Sequence, residues 1–162
     1  MDEFKRRNYE KEHSAGSFPR FEPLSVADAA ALRAAVAVRM GNSPNEEGLK
    51  LVQEIVQEAE PVPQVSASES SFNLLALTEA LGLDVPDDVF VNWRHFDDVD
   101  RLAVTDLTAH FSDIWYPASD DIEIIHPAVH WVIVVSHEGH VSYLRFDGWR
   151  SAPVDVRRKL DY

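Results

Sequence analysis

The first half of the chain carries apolar residues at the three-to-four-residue spacing of amphipathic helices. This pattern predicts helices over residues 25–40, 43–59 and 71–81. The second of them has the clearest start, because a serine cap at its first position is followed by Pro44 and then by Glu46, as in a capping box. The N-terminal half is therefore predicted to be helical.

The second half of the chain is dominated by strand-like patterns. Residues 89–96 alternate between apolar and polar side chains, as a half-buried strand does. Residues 122–125, 131–136 and 141–146 predict a three-stranded meander. Its middle strand is apolar on both faces and is expected to be central. Glu138-Gly139 fits a two-residue hairpin turn between the last two strands.

Residues 98–111 have two interpretations. Leu102, Ala103 and Leu107 fit the inward face of one long helix, which is the preferred prediction. The rival makes 102–104 a short strand and starts the helix at Thr105.

Helices followed by strands, without βαβ alternation, predict an α+β fold with a helical N-terminal half packed on a roughly four-stranded, mainly antiparallel sheet. Residues 1–24, which are polar with scattered aromatics, are predicted to be an N-terminal arm, and residues 25–162 a single domain. Ser151 or Pro153 is a possible start for a short basic C-terminal helix.

Composition narrows the functional classes. The 162 residues include no cysteine, which excludes disulfides and thiolate chemistry, and no apolar run long enough to span a membrane. The formal net charge of −13 argues against direct binding to a nucleic-acid backbone. We expect a cytoplasmic protein without a membrane partner, and the oligomeric state stays open.

The negative charge is concentrated. From Asp97 to Glu123 eight acids accompany one base, Arg101, so a sixth of the chain carries −7. Large aromatics among these acids resemble a protein-binding hot spot. The alternative is structural: Trp115 packs at the end of the preceding helix against the sheet. The predicted partner-binding residues are Asp97, Asp98, Asp113, Trp115, Tyr116, Asp120, Asp121 and Glu123.

Catalytic and metal chemistry have weaker signals. The sequence has no nucleophile motif and no phosphate-binding glycine loop, so no catalytic residue and no cofactor is predicted, and an enzyme is the less favoured class. His137 and His140 flank the proposed turn and are the metal-ligand candidates. A zinc site needs a third ligand, which the spacing does not supply.

Three segments within residues 92–146 resemble a known group of proteins. Trp115 to Ile124, Trp131 to Val134 and the following His137-Glu138-Gly139 resemble small acidic bacterial proteins, some of which are immunity partners of secreted toxins. The resemblance implies an acidic binding protein that inhibits a basic partner, such as a toxin nuclease. Two alternatives remain: a small metal-assisted hydrolase using a His/carboxylate cluster, and a structural subunit of a larger assembly.

Overall fold

A computed structural model describes residues 1–146 of the chain. The predicted C-terminal helix after residue 150 lies outside these residues. The helices are α1 (Glu3–Glu12), α2 (Val26–Arg39), α3 (Gly48–Glu58), α4 (Leu74–Ala80), α5 (Val104–Ala109) and α6 (Phe111–Ile114). The strands are β1 (Phe21–Pro23), β2 (Glu60–Ser66), β3 (Asp88–Arg94), β4 (Asp98–Ala103), β5 (Ile122–Ile125), β6 (Trp131–Val135) and β7 (His140–Arg145).

All seven strands join one antiparallel sheet in the order β1-β4-β3-β5-β6-β7-β2. The predicted α+β class is confirmed, and so is the meander of β5, β6 and β7 with β6 between its neighbours. The predicted number of four strands is wrong. The three additional strands come from the segments assigned to the arm, to a connector and to a helix, so the N-terminal half is not purely helical.

The sheet has a hydrophobic core on each face. Side chains of α4, α5 and α6 pack on one face, where Ile124, Trp131 and Ile133 are fully or almost fully buried. Those of α2 and α3 pack on the other, against Val132 and Val134. Burial on both faces explains why β6 is apolar throughout.

Residues 98–111 follow the rival interpretation rather than the preferred long helix. β4 pairs with β3 and β1, and α5 begins at Val104. The strand is hard to predict from the sequence because Asp100 is buried at a position where an apolar residue is expected. Its partners come from distant parts of the chain and are described below.

The start of α3 also differs from the prediction. The Ser43 hydroxyl accepts a hydrogen bond from the Asn45 N–H at 3.3 Å, which stabilises a turn, and the helix begins at Gly48. A Cβ at Gly48 would lie 2.0 Å from the carbonyl oxygen of His95. The close approach of α3 to this carbonyl therefore requires glycine.

The predicted arm is largely built into the fold. β1 pairs with the outer side of β4, and α1 contacts α6. No helix within residues 1–146 combines the length and the apolar character that crossing a bilayer requires.

The β6–β7 turn is longer than predicted. The Ser136 N–H donates to the carbonyl of His140 at 3.0 Å, and Gly139 adopts a φ of +87°. Three residues therefore form the loop, as in hairpins that end in a left-handed glycine. Ser136, rather than His137, lies opposite His140.

Candidate functional site

The predicted acidic surface lies where α1 packs on the protein. The Met1 ammonium is 2.5 Å from a carboxylate oxygen of Asp100 and 3.0 Å from one of Asp98. The Trp93 indole N–H also donates to Asp100 at 2.8 Å. Burial raises the pKa of Asp100, and the ammonium and the indole partly offset this shift by stabilising the carboxylate.

One turn further along α1, the Lys5 side chain enters a socket made by three other segments. Its ammonium pairs with the Asp120 carboxylate and donates to the Ile114 carbonyl at 2.6 Å. It also lies 4.3 Å from the centre of the Trp93 ring and 4.8 Å from that of Tyr116. We call Trp93, Tyr116, Asp120 and the Ile114 carbonyl the lysine socket. Ion pairing, hydrogen bonding and two cation–π contacts all act there on one ammonium group.

Lys5 is almost fully buried in the socket, with 2% of its surface exposed to solvent. Burial lowers the pKa of Lys5, while the Asp120 carboxylate opposes the shift. Asp120 is itself held in place, because it accepts the Tyr116 backbone N–H at 2.7 Å. The backbone of the socket therefore helps to orient the carboxylate that meets the Lys5 ammonium.

Two predicted partner-binding residues are inside the protein, which corrects their assignment. Trp115 is 2% exposed and its indole donates to the Asp120 carbonyl at 2.8 Å. Glu123 is 4% exposed in the middle of β5 and accepts a hydrogen bond from Asn92 at 2.6 Å. Neither can touch a partner, because the aromatic plugs the end of α6 and the carboxyl lies beneath α2 and α3.

The remaining predicted acids stay at the surface, but they do not form one free patch. Asp97 is exposed, and Asp98 is close to the Met1 ammonium. Asp113 lies 3.6 Å from both His13 and His110. Asp121 is exposed and contacts His137 at 2.9 Å. Asp98 therefore has a cationic partner within the chain, and Asp113 and Asp121 have imidazole partners.

The helix that covers the socket is weakly anchored. α1 is ten residues long, and its only buried side chains are Lys5 and Tyr9. A helix of this length is marginal by itself in water. Tyr9 packs edge-on against Phe18 and His110, with ring centres 5.5 and 5.6 Å away. Two partly exposed side chains of α1 also reach Tyr116: the Phe4 ring lies edge-on to its ring with centres 5.5 Å apart, and the Asn8 amide is 3.5 Å from its hydroxyl. α1 is consequently held by a small set of contacts, only two of which come from buried side chains.

We expect Lys5→Ala to release α1 while the sheet stays folded. Removing the ammonium leaves Asp120 without its ion pair, and the local cost should be about 2 kcal/mol, below that of a fully buried pair because Asp120 keeps some solvent contact. Hydrogen exchange of the α1 amides should accelerate at least tenfold while β6 stays protected. The exposed Lys11→Ala on the same helix is the control, and equal exchange in the two variants would contradict a role for the socket.

The predicted metal candidates are not brought together. His137 contacts Asp121, and His140 lies 3.3 Å from Glu138. Neither belongs to a group of three converging metal-ligand atoms among residues 1–146. The longer turn places the two histidines out of register across the hairpin.

A different pair of histidines converges on a carboxylate. His126 Nε2 and His130 Nδ1 lie 3.0 and 2.7 Å from Oδ2 of Asp84. The two imidazole rings stack with centres 4.3 Å apart, and the Trp131 indole donates to the Asp84 carbonyl at 2.9 Å. Burial lowers the pKa of His126, and Asp84 partly opposes this. These three residues could hold a metal ion.

Sequence reasoning missed both of these constellations. Lys5 belongs to a polar segment at the start of the chain, and two of the groups that bind it, the Ile114 carbonyl and Asp120, are 109 and 115 residues away. The spacing of His126 and His130 around a Pro-containing turn was the available signal for the second group. Its third member, Asp84, lies in a loop that no local pattern connects to them.

Comparison with protein-family models, with curated proteins and with solved structures finds no match to this chain.

Proposed function

We propose that this chain is a binding protein for a basic protein, and that a lysine of the partner enters the lysine socket in place of Lys5. The geometry of the socket carries this proposal. Two aromatic faces, a carboxylate and a backbone carbonyl surround one ammonium group, which is the chemistry that recognises a lysine side chain.

Lys5 of α1 occupies the socket, and a lysine of the partner would compete with it. α1 is polar and short and buries only the Lys5 and Tyr9 side chains, so it is among the segments that open at low free-energy cost. A partner segment that presents a lysine can make the same contacts. The apparent affinity of that segment is then reduced by the fraction of molecules in which α1 is docked.

The surface around the socket supports the choice of a basic partner. Asp97 lies in the β3–β4 turn, and Asp98 begins β4 beside the Met1 ammonium. Asp113 lies in α6, and Asp121 directly precedes β5. With a net charge of −13, the chain attracts a basic protein at long range and speeds its association. Contacts in the socket act instead on the dissociation rate.

An inhibitor of a basic toxin is the form of this function that the sequence resemblance implies. The acids near the socket would meet cationic groups that a toxin nuclease uses for phosphate. Trp93, Tyr116 and Asp120 supply the anchor in this proposal, and the buried Trp115 and Glu123 have no part in it.

Titration of a lysine-rich peptide of about 12 residues into the wild type and into Lys5→Ala tests the competition. Emptying the socket should raise the affinity for the peptide about tenfold, because α1 no longer competes. Calorimetry and the fluorescence of Trp93 provide two readouts. The gain should fall as salt is added.

Two controls make the test specific. Asp120→Asn in the Lys5→Ala background should abolish the gain, whereas Asp87→Asn, which removes a charge at the opposite end of β3, should preserve most of it. Lys11→Ala should bind like the wild type. Equal affinity of Lys5→Ala and Lys11→Ala for the peptide would refute the proposed function.

A further inference from the structure

We propose that Asp84, His126 and His130 form a binding site for one divalent transition-metal ion of the Zn²⁺ class. The site is separate from the lysine socket and needs none of its residues. Imidazole nitrogens and carboxylate oxygens are zinc donors, and the chain has no thiolate that would favour a softer ion.

The distances support coordination with little rearrangement. The three donor atoms lie within 4.8 Å of one another, and the two histidine nitrogens are 3.0 and 2.7 Å from the same carboxylate oxygen. Donors bound at 2.0–2.1 Å to a tetrahedral zinc are about 3.3 Å apart. The two nitrogen–oxygen distances must therefore lengthen by about 0.3 and 0.6 Å to admit the ion, which side-chain rotation can supply.

The carboxylate has coordination capacity left over. Both histidines approach Oδ2 of Asp84, while Oδ1 is buried and has no hydrogen-bond partner within residues 1–146. An unsatisfied buried oxygen is costly. A cation beside this carboxylate would satisfy the oxygen directly.

The backbone between the two histidines has an unusual conformation at one residue. Val129 adopts a φ of +53°, which is rare for a β-branched residue, and it is buried against the α2–α3 face. The Val129 N–H donates to the His126 carbonyl at 2.8 Å and closes a turn. This turn brings the two imidazole rings onto one side of the loop.

Coordination requires each imidazole to free the nitrogen that faces Asp84. The Nδ1 of His130 lies 2.7 Å from this carboxylate, and a proton held there moves to its Nε2 when the metal binds. The Nδ1 of His126 accepts the Ala128 N–H at 3.0 Å, so its proton is on Nε2, facing Asp84. A metal at Nε2 moves this proton to Nδ1 and ends the Ala128 contact. Giving up such a hydrogen bond costs roughly a factor of ten in affinity, far less than three zinc ligands contribute.

The shift of tautomer is a signature that surface histidines do not reproduce. Zn²⁺ titrated into untagged, chelator-treated protein should bind at one equivalent, by calorimetry. Long-range ¹H–¹⁵N spectra should show His126 changing from the Nε2–H to the Nδ1–H form while His130 shifts with it. Thermal stability should rise with added Zn²⁺.

Variants separate this site from incidental binding. Asp84→Asn and His130→Gln should each weaken Zn²⁺ binding at least tenfold, and the exposed His137→Gln should leave it unchanged. Circular dichroism verifies that each variant is folded. A wild type that binds no Zn²⁺, or that binds it without the change at His126, overturns the proposal. Unchanged affinity in folded His130→Gln does so as well.

Discussion

Glu123→Gln is expected to stabilise the protein by about 3 kcal/mol at pH 8, the largest gain that we expect from one substitution. Glu123 is buried in β5, and its loss of hydration raises its pKa to about 7, against the stabilising hydrogen bond from Asn92. Above that pH the folded protein must hold a buried carboxylate. Glutamine keeps the acceptor for Asn92 and carries no charge.

The pH dependence gives the sign of this effect. Because the folded pKa is higher than the ordinary value of 4.5, the folded state binds more protons between pH 4.5 and about 7. The contribution of Glu123 to the free energy of unfolding is therefore complete below pH 4.5 and is lost as the pH rises through 7. The variant and the wild type should have similar stability at pH 4.

Urea unfolding of both proteins at several pH values measures the difference, in which other titrating groups largely cancel. Glu79→Gln on the exposed side of α4 is the matched control, since its carboxylate keeps its hydration on folding. A difference between wild type and Glu123→Gln that stays constant from pH 4 to pH 8 would contradict the buried-charge account.

Gly48→Ala should destabilise the protein by about 3 kcal/mol, at the upper end of the usual cost of overpacking. The new methyl group would lie 2.0 Å from the His95 carbonyl oxygen, and backbone on one side or the other must move. His95 and Phe96 both have positive φ, at 46° and 67°, so the turn that carries this carbonyl has little freedom to yield.

The sign makes this prediction decisive. In an exposed helix the same substitution stabilises by about 1 kcal/mol through helix propensity. The denaturant midpoint of Gly48→Ala should fall. The midpoint of Gln57→Ala, at an exposed position on α3, should rise slightly or stay unchanged. A gain of stability in Gly48→Ala would show that α3 does not depend on this close approach.

Local sequence patterns predicted the elements whose stabilising contacts are themselves local or strongly apolar. β5 and β6 are rich in β-branched residues, and both sides of β6 are buried. α2 starts where Ser25 predicts, and its hydroxyl accepts the Asp28 N–H at 3.1 Å. Such signals are complete within a few residues.

The parts that escaped prediction depend on partners distant in the chain. Asp100 is buried in β4 because the Met1 ammonium and the Trp93 indole reach it, which no pattern within β4 reveals. Lys5 is buried because Asp120, 115 residues away, forms its counter-charge. Charge counting found the acids of the surface but could not see that the chain supplies its own cations.

The lysine socket and the Asp84 cluster differ in what their failure would mean. The first depends on α1 leaving the socket, whereas the second depends on the two imidazoles freeing the nitrogens that face Asp84. A chain that binds Zn²⁺ but no basic peptide would retain the metal site and lose the proposed function. A chain that binds the basic peptide but no Zn²⁺ would retain the proposed function and lose the metal site.

The two outermost strands determine how copies of this chain can meet. β1 ends at Pro23, and β2 contains Pro61 and Pro63 with an irregular register against β7. Proline offers no N–H, so these margins are poor templates for ladder growth by an incoming polypeptide. Within residues 1–146, these prolines disfavour fibril-like stacking and make strand addition a less favourable route for a companion protein than contact through side chains.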